Sequence, residues 1–481
     1  MLAYHQEFFF LLPGRGDGNR QRQRIYLYMA EQDNAVSTLQ ENGLKNRHIM
    51  MIALGGVIGA GLFVGSSAAI VATGPAILLG FLMVGVLIFM IMRMLGEMVI
   101  ADPGRGSFVE YIRKAHGDHV GFTSGWLYWF FWVVVLGSEA IAGAMLLQDW
   151  INLPVWVLSL GLIIALQLVN FAAPRIFGEC EFWLSGIKVL SILLFVGIAL
   201  LYVFHIFGPG VPATENFFGH GGFFPHGFIS VLSLIPTILF TMMGSEIATV
   251  AAAESSEPGK NVARVTRSVG IRVTLFYLAS ITMILLVIPW TSVVAGKSPF
   301  VTAMDAMGIP GAGLITRIVI LSAVLSCLNS SMYITSRILT ELADKGDAPQ
   351  TLTRNSTAEA PRLAILVSSI AGAVVAFSSI LAPKTVFAFL LNCSGGLILL
   401  IYCLIASSYI VARHLARKDG TEKENFQLPL FPVINYVTIG AVILVFIAML
   451  IDPEERMTAL SSLLTAVGCY ILARIFASKT A

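Results

Sequence analysis

Apolar residues run in blocks of roughly twenty, set apart by short polar stretches that hold most of the charge. An α-helix rises about 1.5 Å per residue, so about 20 such residues cross about 30 Å of hydrocarbon. The blocks predict an all-α integral membrane protein with about twelve transmembrane helices. They lie near 48–73, 75–99, 120–147, 154–173, 181–205, 228–253, 271–290, 312–342, 361–381, 384–412, 431–450 and 457–477. The eighth and tenth are long enough to run past the hydrocarbon. No loop suits a soluble domain, because the longest, Phe207 to Gly227, holds glycine, proline, histidine and aromatics instead of a core.

Two blocks are interrupted. Met51 to Ile70 reads M-I-A-L-G-G-V-I-G-A-G-L-F-V-G-S-S-A-A-I, with Gly55, Gly56, Gly59 and Gly61 followed by Gly65 and Ser66. Each glycine costs a helix interior about 1 kcal/mol relative to alanine. Opened backbone persists in lipid only where it is buried in protein or lines a wet cavity. The sixth block reads L-F-T-M-M-G-S-E-I-A-T from Leu239, with Pro236 upstream and Gly244 central. Proline removes a helical hydrogen bond and glycine weakens the next turn. Gly55-x-x-x-Gly59 alone also suits close helix packing, but a matching break in the other half of the chain favours a binding site at the bilayer midplane. On this reading 1–47 is a cytoplasmic tail, 48–205 and 206–412 are two five-span repeats, and 413–481 holds spans eleven and twelve with a C-terminal tail.

Helix direction gives the breaks a chemistry. The outer half of the first span starts near Gly59 to Gly61, so its free N–H groups and positive dipole end suit a carboxylate. The outer half of the sixth ends near Phe240 to Met243, where free carbonyls and the negative dipole end suit an ammonium group. One anion-binding end opposite one cation-binding end selects a zwitterion, and an amino acid is the natural candidate. Ile58, Gly59, Ala60, Gly61, Phe240, Thr241, Met243 and Gly244 are the expected substrate-binding residues.

Charge supplies orientation and exclusions. Lys45, Arg47, Arg113, Lys114, Lys260, Arg264, Lys345, Arg362, Arg413 and Arg417 fall on one side, against Lys297, Lys384 and Arg456 on the other. The positive-inside rule places both termini in the cytoplasm of a plasma-membrane protein. Only 12% of the 481 residues are charged, with a net charge of +2, and mean hydropathy is +0.82. No basic patch with interleaved aromatics suggests a nucleic-acid partner, and the five cysteines have no metal or disulfide spacing. Walker, H-E-x-x-H and G-x-S-x-G motifs are absent. The expectation is therefore a secondary transporter and not an enzyme, with lipid around it, a small molecule as substrate, and no cofactor or metal. Ser107 to His116 reads as a short amphipathic helix covering the cytoplasmic face. Met1 to Tyr28 reads as an extension ahead of an alternative start at Met29.

Charges within the spans each need a reason. Lys188, about two turns into the fifth span, either snorkels to the interface or reaches into the bundle as a group that exchanges a proton during transport. Glu139 in the third span and Glu246 past the sixth-span break are candidates for gating or polar support. Glu97, Glu254 and Glu257 lie near helix ends and read as structural caps.

Longer motifs then carry a resemblance. G-V-I-G-A-G-L-F-V-G-S-S (56–67), M-R-M-L-G-E-M (92–98), G-S-F-V-E-Y (106–111), G-W-L-Y-W-F-F-W (125–132), F-G-E-C-E-F-W (177–183), G-S-E-I-A-T-V-A-A-A-E-S (244–255) and S-C-L-N-S-S-M-Y-I-T-S-R (326–337) run through nearly the whole chain from Gly43. Together they resemble the amino acid permeases of the amino acid–polyamine–organocation superfamily. Within it the GABA (4-aminobutyrate) permeases are the most similar, through I-M-R-M-L (91–95), A-A-A-E-S and S-C-L-N-S. The resemblance implies a leucine-transporter-like fold of inverted five-helix repeats and proton-coupled uptake, with the proton as coupling ion. It carries the carboxylate-binding element onto Gly59, Ala60 and Gly61, the aromatic gate onto Phe240, and the coupling lysine onto Lys188. The chain departs from GABA permeases in S-G-I-K-V, where they tend to have C-K-V, and in G-A-G, where G-A-S occurs. The favoured substrate is GABA or a related ω-amino acid. Alternatives are an α-amino acid permease for aromatic residues, proline or asparagine, and a non-transporting sensor on the same scaffold.

Overall fold

The structure is a computed structural model that describes residues 56–102, 107–171, 174–206, 208, 211–244, 246, 258–354, 361–422 and 427–477. The expected extension at 1–28, Gly55, Glu254 and Glu257 lie outside them. Every regular element among the described residues is helical.

Residues 56–59 are non-helical, and the first span resumes as a π-helical turn over Gly61–Gly65. It continues as α1, Ser66–Thr73, until Gly74 at φ +61° and Pro75 turn the chain. Helix α2, Ile77–Ala101, returns across the bundle. The expected amphipathic helix forms as α3, Phe108–His116, with Ser107 accepting the Val109 N–H at 3.3 Å. It buries Phe108, Val109 and Ile112, as a cover for the bundle should. Next come α4, Asp118–Leu147, α5, Val155–Asn170, and α6, Pro174–Val203.

The second half begins with two short helices, α7, Ala213–Phe218, and α8, Gly227–Ser233. Helix α9, Ile235–Met242, then stops at Met243, which is extended, and Gly244 adopts φ +106°, a backbone open to glycine and costly for other residues. Helix α10, Pro258–Val287, crosses back. A further short helix, α11, Pro299–Ala306, sits where the apolar pattern predicts only loop. The remaining elements are α12, Ala312–Asp344; α13, Thr351–Arg354; α14, Arg362–Phe377; α15, Pro383–Lys418; α16, Val433–Ile451; and α17, Arg456–Phe476.

Nine helical runs among the described residues are long and apolar enough to cross a membrane, with the first two expected spans counted as one run, Gly61–Ala101. Val155–Asn170 is shorter, and the sixth expected span is cut by its break. Leu190, Leu193 and Leu194 on α6, and Leu464 and Ile475 on α17, are exposed. Surface of this kind is a liability in water but suits lipid. Inside, Trp132, Tyr128, Tyr277 and Lys188 are among the largest side chains with no exposure. Helices approach closely where glycine allows it: a Cβ on Gly80 of α2 would lie 2.3 Å from Ile238 of α9, and one on Gly395 of α15 would lie 2.0 Å from the Pro236 carbonyl.

Glu97, read as a structural cap, instead ties two helices to a loop. It accepts from Tyr409 Oη at 2.7 Å, from the Gln427 and Leu428 N–H groups at 3.0 and 3.2 Å, and from Arg93 at 2.8 Å. It thereby pins α2 to α15 and to the segment leading into α16. On the same face Arg113 of α3 pairs with Glu110, Asp118 and Asp347.

Candidate functional site

The two breaks face each other. A Cβ on Gly61 would lie 2.8 Å from Thr241 Cα and 3.1 Å from the Phe240 ring. A Cβ on Gly244 would lie 2.7 Å from the Gly56 carbonyl oxygen and 3.2 Å from Val57 N. Glycine is thus what lets the backbones meet. Ile58, Ala60, Phe240, Thr241 and Met243 beside these contacts are all buried. Tyr277 of α10 ties the breaks together, its hydroxyl lying 3.1 Å from the Val57 carbonyl and in contact with that of Thr241. The carbonyl end of α9 is therefore partly occupied, and the Thr241 hydroxyl is spent within its own helix on Ile238 O at 2.7 Å.

The N–H end is occupied as well. Ala60 N–H is donated to Glu139 of α4, with both carboxylate oxygens at 3.1 Å. The opened helix thus already holds a carboxylate, supplied by the protein. Gly59 is bounded by the same group: a Cβ there would lie 2.5 Å from Glu139 Oε1 and 2.8 Å from Cys327 Sγ. Cys327 in turn reaches the Gly56 carbonyl at 3.8 Å. At the other break Glu246 accepts the Gly244 N–H at 3.2 Å and is fully buried.

Lys188 has no exposure, so of its two readings the snorkelling one is excluded. It lies within electrostatic reach of Glu181, Cys327 and Glu139. A buried ammonium among carboxylates is far less costly than one alone. Glu181 was not foreseen as part of the site. It is fully buried and accepts from Ser185 at 3.0 Å and from Ser326 of α12 at 2.5 Å. Its signal lay in the spacing, since Glu181 precedes Lys188 by two helical turns and shares its face. Tyr277 and Cys327 gave none, because an aromatic or a thiol in an apolar helix reads as core.

A cavity of about 720 Å³ opens on the face opposite α3, reaching Val64 of the π-helical turn and Ala142 of α4. Lys297, Ser298, Asp305 and Lys384 also line it, as does the Arg317–Asp149 pair at 3.3 Å. It is a polar approach that ends beside the first break.

Comparison with known proteins agrees with this architecture. The family described as amino acid permease matches residues 48–477. The chain belongs to that family. The permease is 42% identical over 428 residues to the gamma-aminobutyric acid permease of Bacillus subtilis (strain 168), covering 88% of this chain and 91% of the relative. It is 41% identical to the gamma-aminobutyric acid permease of Escherichia coli (strain K12), covering 89% and 92%. It is 34% identical to the aromatic amino acid transport protein AroP of Escherichia coli O6:H1, covering 92% and 96%. With its apolar helices, the permease is a multi-pass membrane protein that transports amino acids and is not an enzyme.

Proposed function

We propose that this permease imports 4-aminobutyrate or a related ω-amino acid across the plasma membrane, driven by protons. The carrying observation is the carboxylate of Glu139 on the Ala60 N–H. A donor that holds a protein carboxylate is an address for the carboxylate of a substrate, and the carbonyl end of α9 faces it to receive the ammonium group. Substrate and Glu139 then compete for one N–H, and Lys188 lies within reach of the displaced charge. Neutralising Glu139 with a proton frees that N–H, which links proton uptake to substrate uptake. The reading takes the two halves as inverted five-helix repeats followed by two further helices, with both termini cytoplasmic as the basic residues suggest.

The two gamma-aminobutyric acid permeases favour the ω-amino acid. Similarity to an aromatic amino acid transport protein supports a second reading, an α-amino acid permease, whose substrate holds its two charges closer together. The experiment is uptake of labelled 4-aminobutyrate into proteoliposomes with a competition panel, with and without an inward proton gradient. Accumulation that follows the gradient, with 4-aminobutyrate the best competitor, supports the proposal. Sodium dependence without proton dependence overturns the coupling, and stronger competition by phenylalanine or proline overturns the substrate.

A further inference from the structure

A second polar chain runs through the outer face, away from Glu139 and Lys188. Glu455 occupies the N-cap position of α17, where a carboxylate ordinarily caps its own helix, yet it makes no such bond. Its two oxygens accept instead from Asn392 Nδ2 of α15, at 2.7 and 2.8 Å. Asn392 Oδ1 accepts the hydroxyl of Thr237 in α9. Thr241, one turn further on, spends its hydroxyl inside the helix, whereas Thr237 turns outward to Asn392. One turn beyond Asn392, Gly395 packs on the Pro236 carbonyl. The outer half of the broken sixth span is therefore held on α15, and α15 on the start of α17.

The anchor of this chain is a carboxyl with 7% exposure among other acids. Asp452 and Glu454 flank it in the same loop. Arg456, the adjacent cation, is turned away onto the Leu450 and Ile451 carbonyls at 2.9 and 3.5 Å. Helix α9 has no ionisable side chain, and the outer half of α16 has none. Helix α15 adds only Asn392 and Cys393 here, and α17 adds Thr458. Burial, with Asp452 and Glu454 beside it, pushes the Glu455 carboxyl up to about 7.

We propose that Glu455 is a positioning residue for the outer half of the sixth span, acting through Asn392 and Thr237, and that a proton from the outer side keeps it seated. The direction follows from linkage: a proton favours the arrangement that buries the acid, and loss of the proton drives the charge toward water, away from Asn392. Seated, Glu455 fixes Thr237 and with it the end of α9 that borders the substrate. Unseated, it frees that end. The proposal rests on the orientation given above, and it is independent of which amino acid is carried.

The test measures KM and kcat for uptake in right-side-out membrane vesicles with the internal pH clamped and the external pH varied between about 6 and about 8. In the wild type, KM is expected to rise toward alkaline external pH by roughly three- to tenfold, the size of one net hydrogen bond, with kcat changing less. Glu455→Gln, which stays neutral and still accepts from Asn392, is expected to show a smaller rise of KM toward alkaline external pH, leaving only the part that the proton on Glu139 contributes. Glu455→Asp retains a pH dependence. Thr237→Val, which cuts the chain without adding volume, is expected to show a raised KM already at acid external pH. Without substrate, the thermal stability of the purified wild type falls as pH rises through neutrality, and that of Glu455→Gln does so less. A wild-type KM profile in Glu455→Gln, or an unaltered KM in Thr237→Val, overturns the proposal. A dependence on internal pH overturns the orientation and with it the outer source of the proton. Where 4-aminobutyrate is not carried, the comparison uses the amino acid that the panel identifies, and the substrate reading falls alone.

Discussion

Glu139 and Ala60 are 79 positions apart in the chain, and the side chain of the first closes the opened backbone of the second. Removing the partner leaves a buried N–H without its acceptor, at a cost of about 1–3 kcal/mol. Glu139→Ala is therefore expected to lower the midpoint of thermal unfolding in detergent. Glu139→Gln keeps an acceptor, so it should retain most of that stability while losing gradient-driven accumulation. Accumulation unchanged in Glu139→Gln would remove Glu139 from the coupling step.

Lys188 lies within electrostatic reach of Glu139 and Glu181. Lys188→Ala is expected to reduce accumulation against a gradient by about tenfold or more, while exchange of labelled for unlabelled substrate falls much less. Equal loss of both activities would assign Lys188 to binding instead.

Gly61 leaves no room for a side chain, because the nearest obstacle is the Thr241 backbone at 2.8 Å and not a flexible group. Gly61→Ala forces the breaks apart and is expected to cost about 1–3 kcal/mol, read as a weaker substrate affinity together with a lower unfolding midpoint. Gly61→Leu should abolish binding. Normal affinity in either variant would mean that the close approach serves packing only.

Tyr277→Phe keeps the ring against Phe81, whose centroid lies 5.5 Å away, and deletes the hydroxyl. Loss of that buried tie is expected to cost about 1–3 kcal/mol and to raise KM more than it lowers kcat. A variant with wild-type KM would show that the breaks hold their spacing without it.

What local chemistry could announce was legible in the chain. Glycines at 56, 59 and 61 and Pro236 with Gly244 marked where helices open, because helix breaking is a property of the residue itself. A charge set deep in an apolar block marked Lys188 as needing a reason, but left open whether it reaches the interface or the bundle. The partners of these groups were hidden, because they come from helices far along the chain. Nothing near Ala60 points to Glu139, nothing near Glu181 points to Ser326, and Asn392 reads as an isolated polar residue until α9 and α17 are laid beside it. Helix α11 was missed for a different reason, since eight residues with an aspartate among them lack the length of a span.

A phenol carries a single hydrogen, yet Tyr277 stands between two carbonyls, one from each broken span. Its one hydrogen lies within reach of both. The two openings are thus joined through one shared donor. A cationic group arriving between them would bring further hydrogens to the same two carbonyls.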